Sequence, residues 1–285
     1  MKTILTSLLI LLTSVSFAGI HFDAYKIYNS KGKEVSFEKV VKEAEGKSHV
    51  FMGEYHNNAI SHWLQIEMMT ALYAMYKKDL VMGAEMFEAD NQYILNEYLK
   101  GQISAKNYQR EMRLWPNYNT DYKPLVEFAK EKELKFIATN IPRRYANMVY
   151  KKGLKSLDGL SDLAKSFIVP LNQFKFDSTV ACYKEIYKMP HGGEGMATAQ
   201  AIKDATMAYF ILQNSRPGST FLHFQGAYHS DNYEGIVYYL KQQVEEDKIL
   251  TVSTVTQGRI DQLLDDNKGL ADFIICVKEN VTSTH

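Results

Sequence analysis

The stretch His49-Val50-Phe51-Met52-Gly53-Glu54-Tyr55-His56 ends a short apolar run on a glycine and then delivers a carboxylate and an imidazole. A helical pattern follows it. Ile60, Leu64, Met68, Ala71 and Met75 recur at spacings of three and four, which predicts an apolar stripe along one helix face. The same grammar returns at Thr220-Phe221-Leu222-His223-Phe224-Gln225, which runs into Gly226-Ala227-Tyr228-His229. A lone G-x-x-H carries no weight, because Gly and His co-occur by chance in any long chain. Two of them at equivalent strand-to-helix junctions do carry weight. At the carboxyl ends of strands in an open α/β sheet, such junctions collect ligands and catalytic groups.

Working outward, apolar runs predict strands over 49–53, 80–87, 135–139, 220–225, 248–255 and 272–277, with helical periods between them. Tyr25, Ile27, Val35 and Phe37 alternate around Asn29-Ser30-Lys31-Gly32 and predict a small hairpin over 23–37. Strand alternating with helix implies an α/β fold, a mostly parallel sheet flanked by helices. Residues 142–217 break the rhythm with helical patterns and the loop Met189-Pro190-His191-Gly192-Gly193, so they are expected to form a helical insertion or lid on a single domain spanning 19–285.

Composition bounds the function classes. The 285 residues carry 33 basic and 33 acidic side chains, a balance that offers no electrostatic footprint for nucleic acid. Tyrosine is abundant, at 19, beside 14 Phe and 12 Met, which suits core packing and also a large flat ligand or a partner chain. Lys2, the run Leu8 to Leu12 and the small residues Ser16 and Ala18 match a secretory signal peptide over 1–18, cut before Gly19. An exported protein, periplasmic or associated with the cell envelope, is therefore expected, with no cysteine beside the cut to accept a lipid. Of the two cysteines, Cys276 sits in a strand-like run and is expected as a buried free thiol, Cys182 in a Tyr-rich helical segment.

The first polar groups after each strand form a consistent set: Glu54 and His56, Glu85, Asn140 with Arg143, and Gln225 with His229. In a parallel sheet these ends share one edge. His56, His229, Glu54 and Glu85 are then candidate ligands for a divalent transition metal, and Glu54 or Glu85 a candidate base that activates bound water, as in a metal-dependent hydrolase or protease. The plainer reading makes Glu85 a capping or ion-paired acid and the cleft a hydrogen-bonded tie between strand ends. His62 lies three residues before Gln65 on the first helix and is placed to reach the same cleft, whereas His223, inside a strand, reads as core. His191 in the glycine-rich loop, beside Tyr183, Tyr187 and Met189, offers side chains of the kind that ligate haem.

The residues also carry a resemblance. The run Gly53 to His56 with His62-Trp63-Leu64-Gln65, then Gly83-Ala84-Glu85-Met86-Phe87-Glu88, Trp115, Tyr122-Lys123-Pro124-Leu125, Asn140-Ile141-Pro142-Arg143, Ala199-Gln200, Asp204 to Ala208 and Gly226 to His229 resembles the ChaN-like haem-binding uptake proteins. That group is a branch of the superfamily holding the TIKI and TraB proteins and the erythromycin esterases. The resemblance implies an α/β core and a role in bacterial haem or iron uptake with envelope machinery as partner. It further implies haem at an apolar homodimer interface, with tyrosine on the iron and histidine on a propionate. Glu54, His56, Glu85, Arg143 and His229 fall on its motif positions, while the haem tyrosine has no motif to place it. Tyr183, Tyr187, His191, Arg143 and His62 are the candidate haem contacts. In the TIKI branch paired G-x-x-H turns accompany metal-dependent proteolysis.

Overall fold

A computed structural model describes residues 23–190 and 192–285. The expected signal peptide and His191 lie outside the described residues. One sheet of eight strands organises the described residues: β1 (Tyr25–Asn29), β2 (Glu34–Val35), β3 (His49–Glu54), β4 (Leu80–Glu88), β5 (Lys135–Asn140), β6 (Thr220–Gly226), β7 (Ile249–Gln257) and β8 (Phe273–Lys278). Their order across the sheet is β2-β1-β8-β7-β3-β6-β4-β5. From β8 to β5 every neighbouring pair is parallel, whereas β1 pairs antiparallel with both β2 and β8 at one edge. The expected α/β class and its mostly parallel sheet are therefore present.

Connections explain the order. From β3 the chain steps outward to β4 and β5 through α2 (Ala59–Tyr76), α3 (Gln92–Leu99), α4 (Ala105–Glu111) and α5 (Lys123–Glu131), with α1 (Phe37–Ala44) preceding β3. It then returns through α6 (Arg143–Lys152), α7 (Asp162–Lys165), α8 (Ala181–Lys188) and α9 (Glu194–Asn214) to β6, and through α10 (Ile236–Leu240) to β7. Reversing the direction of travel while keeping right-handed crossovers places the two helix groups on opposite faces. Strand side chains alternate accordingly. Val50, Met52, Met82, Leu222 and Phe224 join the core beneath α2, whereas Phe51, Val81 and Phe221 join the core beneath α9.

Two expectations change. The buried face of α2 runs through Ser61, His62, Leu64, Gln65, Met68, Met69 and Leu72, and Met75 is exposed. The stripe is wider and turned relative to the predicted one because the first turn of α2 faces the polar strand ends and buries Ser61, His62 and Gln65 there. Residues 142–217 hold helices and no strand among the described residues, yet α9 is no lid. Its Ala197, Ala201, Ile202, Ala205, Met207, Ala208 and Ile211 are buried against the sheet, so the segment is the helical layer of one face. Cys182 and Cys276 are both buried free thiols.

Candidate functional site

The carboxyl ends of β3, β6, β4 and β5 are adjacent in the sheet, so Glu54, Gly226, Glu85, Glu88 and Asn140 open onto one edge. A cleft of about 540 Å³ lies there, lined by His56, Glu85, Glu88, Leu114, Trp115, Pro116, Asn140, Ile141, Arg143, Lys203 and His229. The two G-x-x-H turns build it reciprocally. A Cβ on Gly53 would stand 2.9 Å from Ala227 Cα in the second turn, and a Cβ on Gly226 would stand 2.9 Å from the His56 ring of the first. Each glycine is thus the space that the other motif occupies.

Glu54 is fully buried and has four neighbours. His56 Nδ1 lies 2.9 Å from Oε1, Tyr122 donates to the same oxygen at 2.7 Å, Gln65 Nε2 donates to Oε2 at 2.5 Å, and His62 Nδ1 stands 3.5 Å from Oε2. This bracing keeps the carboxylate in place and fixes the His56 ring, which also makes an edge contact with Trp115 at 4.8 Å between centroids. Its side chain keeps 40% exposure. With Nδ1–H committed to Glu54, a neutral His56 turns its Nε2 lone pair outward. Burial disfavours the imidazolium of His56, but the neighbouring Glu54 and Glu85 outweigh it and raise the pKa.

His229 is held from both sides. Its Nδ1 meets the Asp204 carboxylate, its Nε2 lies 3.1 Å from Glu85 Oε1, and Gln200 Nε2 approaches the ring at 3.3 Å. Burial alone would lower its pKa, yet Glu85 and Asp204 together push it up to about 10. Glu85 resists burial by the same pairing, with His229, His56 and the Gly226 N–H at 2.8 Å holding its carboxyl below the usual range. Asp204 moves the other way, because complete burial dominates and raises it. The local charge state is therefore a Glu85 carboxylate facing a His229 imidazolium.

Both ring nitrogens of His229 face carboxylates, and Glu54 accepts from Tyr122 and Gln65 and meets His56 Nδ1. Among the described residues no group of three or more His, Cys, Asp and Glu is disposed to hold a metal ion. His56, His229, Glu54 and Glu85 do meet along one edge, but as donors and acceptors for one another.

The candidate haem contacts separate. Tyr183 is fully buried and its hydroxyl donates to Asp204 Oδ2 at 2.9 Å, with burial raising its pKa far above that of a free phenol. Such a phenol presents no oxygen to an incoming iron. His62 is also withdrawn, since its Nε2 sits 3.2 Å from the His56 carbonyl and 3.4 Å from Asp121 Oδ2. Arg143 lines the cleft with its guanidinium 63% exposed and its Nε on Glu88. Tyr187 is 45% exposed. His223 is core, bonded to Thr139 at 2.8 Å, and burial lowers its pKa to about 4.

Asp204, Gln65, Tyr122, Asp121 and Lys203 received no role from the sequence. One signal was present for Asp204. It stands four residues after Gln200 among Ala201, Ile202, Ala205, Met207 and Ala208, and an acid on a buried helix face needs a partner. Tyr122 comes from a single π-turn, Tyr118–Tyr122, whose extra residue aims Asp121 and Tyr122 at the first motif, and no pattern in the sequence reveals that turn.

Comparison with known proteins places this geometry. A structure described as cofacial haem binding to ChaN of Campylobacter jejuni superposes with a TM-score of 0.66 at 18% identity, covering 89% of this chain and 97% of that one. A Bacillus cereus protein superposes with a TM-score of 0.51 at 9% identity, covering 90% and 95%. These likenesses are of fold. Among curated proteins, RETICULATA-RELATED 5 of Arabidopsis thaliana chloroplasts is 24% identical over 148 residues, 48% of this chain and only 20% of that protein. The family model described as haem-binding uptake, Tiki superfamily, ChaN matches residues 40–240, and by that match across both turns and the layer between them the chain belongs to this family.

Proposed function

We propose that this chain binds haem at the bacterial cell envelope and serves haem or iron uptake. The observation that carries the reading is the family match over 40–240, which spans every element of the cleft. The surface offers a matching apolar face. Tyr187 and Met189 at the end of α8, Met196 at the start of α9 and Tyr150 near the end of α6 are 39–45% exposed, and the backbone carbonyl of Tyr150 is packed against Gly195. Large apolar side chains exposed together mark a ligand or partner surface more than chance does. Of the two tyrosines on α8, Tyr187 is the one able to reach iron. A phenolate there is a hard, weak-field donor and favours high-spin ferric haem. Haem bound on this face would be shared with a second copy, so the homodimer forms around the ligand.

Haem titration of the purified protein tests the reading. A saturable Soret shift with a phenolate charge-transfer band is expected, and Tyr187→Phe should abolish that band while leaving the fold intact, since ring volume is nearly conserved. Tyr183→Phe should leave the band in place. Loss of the band in Tyr183→Phe alone, or no haem spectrum at all, refutes the assignment. For location, the native protein should begin at Gly19, and an N-terminus at Met1 counts against export.

A further inference from the structure

Two cations, Arg143 and Lys203, stand at the mouth of the cleft beside Glu85 and Glu88, and Glu85 is already engaged by His229 and the Gly226 N–H. Glu88 is itself committed, accepting from Arg113 Nε at 2.8 Å as well as from Arg143. Lys203 lines the cleft half-buried, and among the described residues its ammonium has neither an ion pair nor a hydrogen bond. Beside it begins the ten-residue helix α6, with Pro142 at the cap position and no side chain accepting from its first N–H groups. An uncapped helix start adds a fixed partial positive charge. Opposite these groups the wall is apolar: Leu114, Trp115, Pro116 and Ile141.

We propose that the cleft binds a small organic carboxylate with an apolar body, its carboxylate held by Lys203 and Arg143 at the start of α6 and its body against Trp115 and Ile141. A bare inorganic anion would satisfy the cations and leave the wall wet, whereas a neutral apolar ligand would leave the ammonium of Lys203 unpaired. The proposal does not require that haem bind at the Tyr187 face.

Equilibrium dialysis of the full chain with radiolabelled benzoate tests it, with benzamide and inorganic phosphate as comparison ligands. Saturable benzoate binding is expected, with benzamide and phosphate each weaker by about 10-fold or more, the scale of one charge-assisted contact. Lys203→Met should weaken benzoate about 10-fold or more, while Lys188→Met, on an exposed lysine already paired with Glu185, should leave it unchanged. Arg143→Gln supplies a second variant if Lys203→Met misfolds by circular dichroism. Absence of saturable binding, equal binding of benzamide, tighter binding of phosphate, or indifference to both variants overturns the proposal. Benzoate retained by haem-loaded protein is the expected result. Its exclusion by haem, together with loss of haem affinity in Lys203→Met, would assign the cations to a haem propionate and overturn the separate site.

Discussion

Gly226 shows how tightly the two turns are fitted, because a methyl group there meets the His56 ring at 2.9 Å and the Glu85 carboxylate at 3.5 Å. Gly226→Ala should displace His56 from Glu54 and cost about 1–3 kcal/mol, the usual range for overpacking. Chemical denaturation measures the cost, and the His56 ring resonance should shift toward that of a free imidazole; an unshifted resonance would show that the turn absorbs the methyl. His229 makes a second prediction. Its pKa of about 10 exceeds the unfolded value of 6.5, so the folded state binds the proton more tightly. Its contribution to stability is complete below 6.5 and is lost as pH rises through 10. Glu85, depressed in the fold, contributes above its unfolded value of 4.5 and loses that contribution as acid protonates it. Denaturation midpoints of the native chain should therefore fall between pH 6.5 and 10, and His229→Gln should flatten that decline.

Among the elements, β5 is the exposed end of the sheet, and one side chain closes it. Gln92 at the start of α3 donates to the Phe136 carbonyl at 2.9 Å and accepts from the Ala138 N–H at 2.6 Å, as a neighbouring strand would. Gln92→Ala should leave both backbone groups open, lower stability by about 1–2 kcal/mol, and speed hydrogen exchange at Ala138 while sparing β3. Unchanged exchange at Ala138 would show that water or the adjoining groove satisfies the edge. Strands such as β5 were legible because short apolar runs bounded by polar or glycine residues leave few alternatives. The phase of α2 was not, since its first turn buries His62 and Gln65 against Glu54, a polar contact that no hydrophobic period records. Tyr183 was misplaced for a related reason. Exposure along α8 depends on where α9 lies, and the partner that buries Tyr183, Asp204, is contributed by α9 itself. The convergence of Glu54, His56, Glu85 and His229 could be read from strand ends alone, but their mutual saturation follows from distances that only the folded chain fixes.

Across the described residues, the sheet carries two large cores, one beneath α2 and one beneath α9, with a smaller third around Tyr28, Val255, Ile274 and Cys276 toward the β1 edge, and the cleft sits where the two large helix layers part at the strand ends. Glu54 is braced by Gln65 and Tyr122 from the first layer, while His229 is braced by Asp204 and Gln200 from the second. Both layers are therefore needed to hold the site, and both rest on the same strands. Side chains alternate along β3, β4 and β6, so neither core can dissolve without exposing backbone and apolar surface that the other uses. Unfolding should then be one cooperative event. Met68→Ala in the first core and Ile202→Ala in the second should each cost about 2–5 kcal/mol. The double variant should lose their sum to within about 0.5 kcal/mol, because the two side chains share no contact. Urea denaturation followed by circular dichroism and by the fluorescence of Trp63 and Trp115, both in the first layer, should give coincident transitions in every variant. If Ile202→Ala leaves the tryptophan transition in place while the dichroism signal splits, the α9 layer unfolds by itself and the cleft is an assembly of two separable halves.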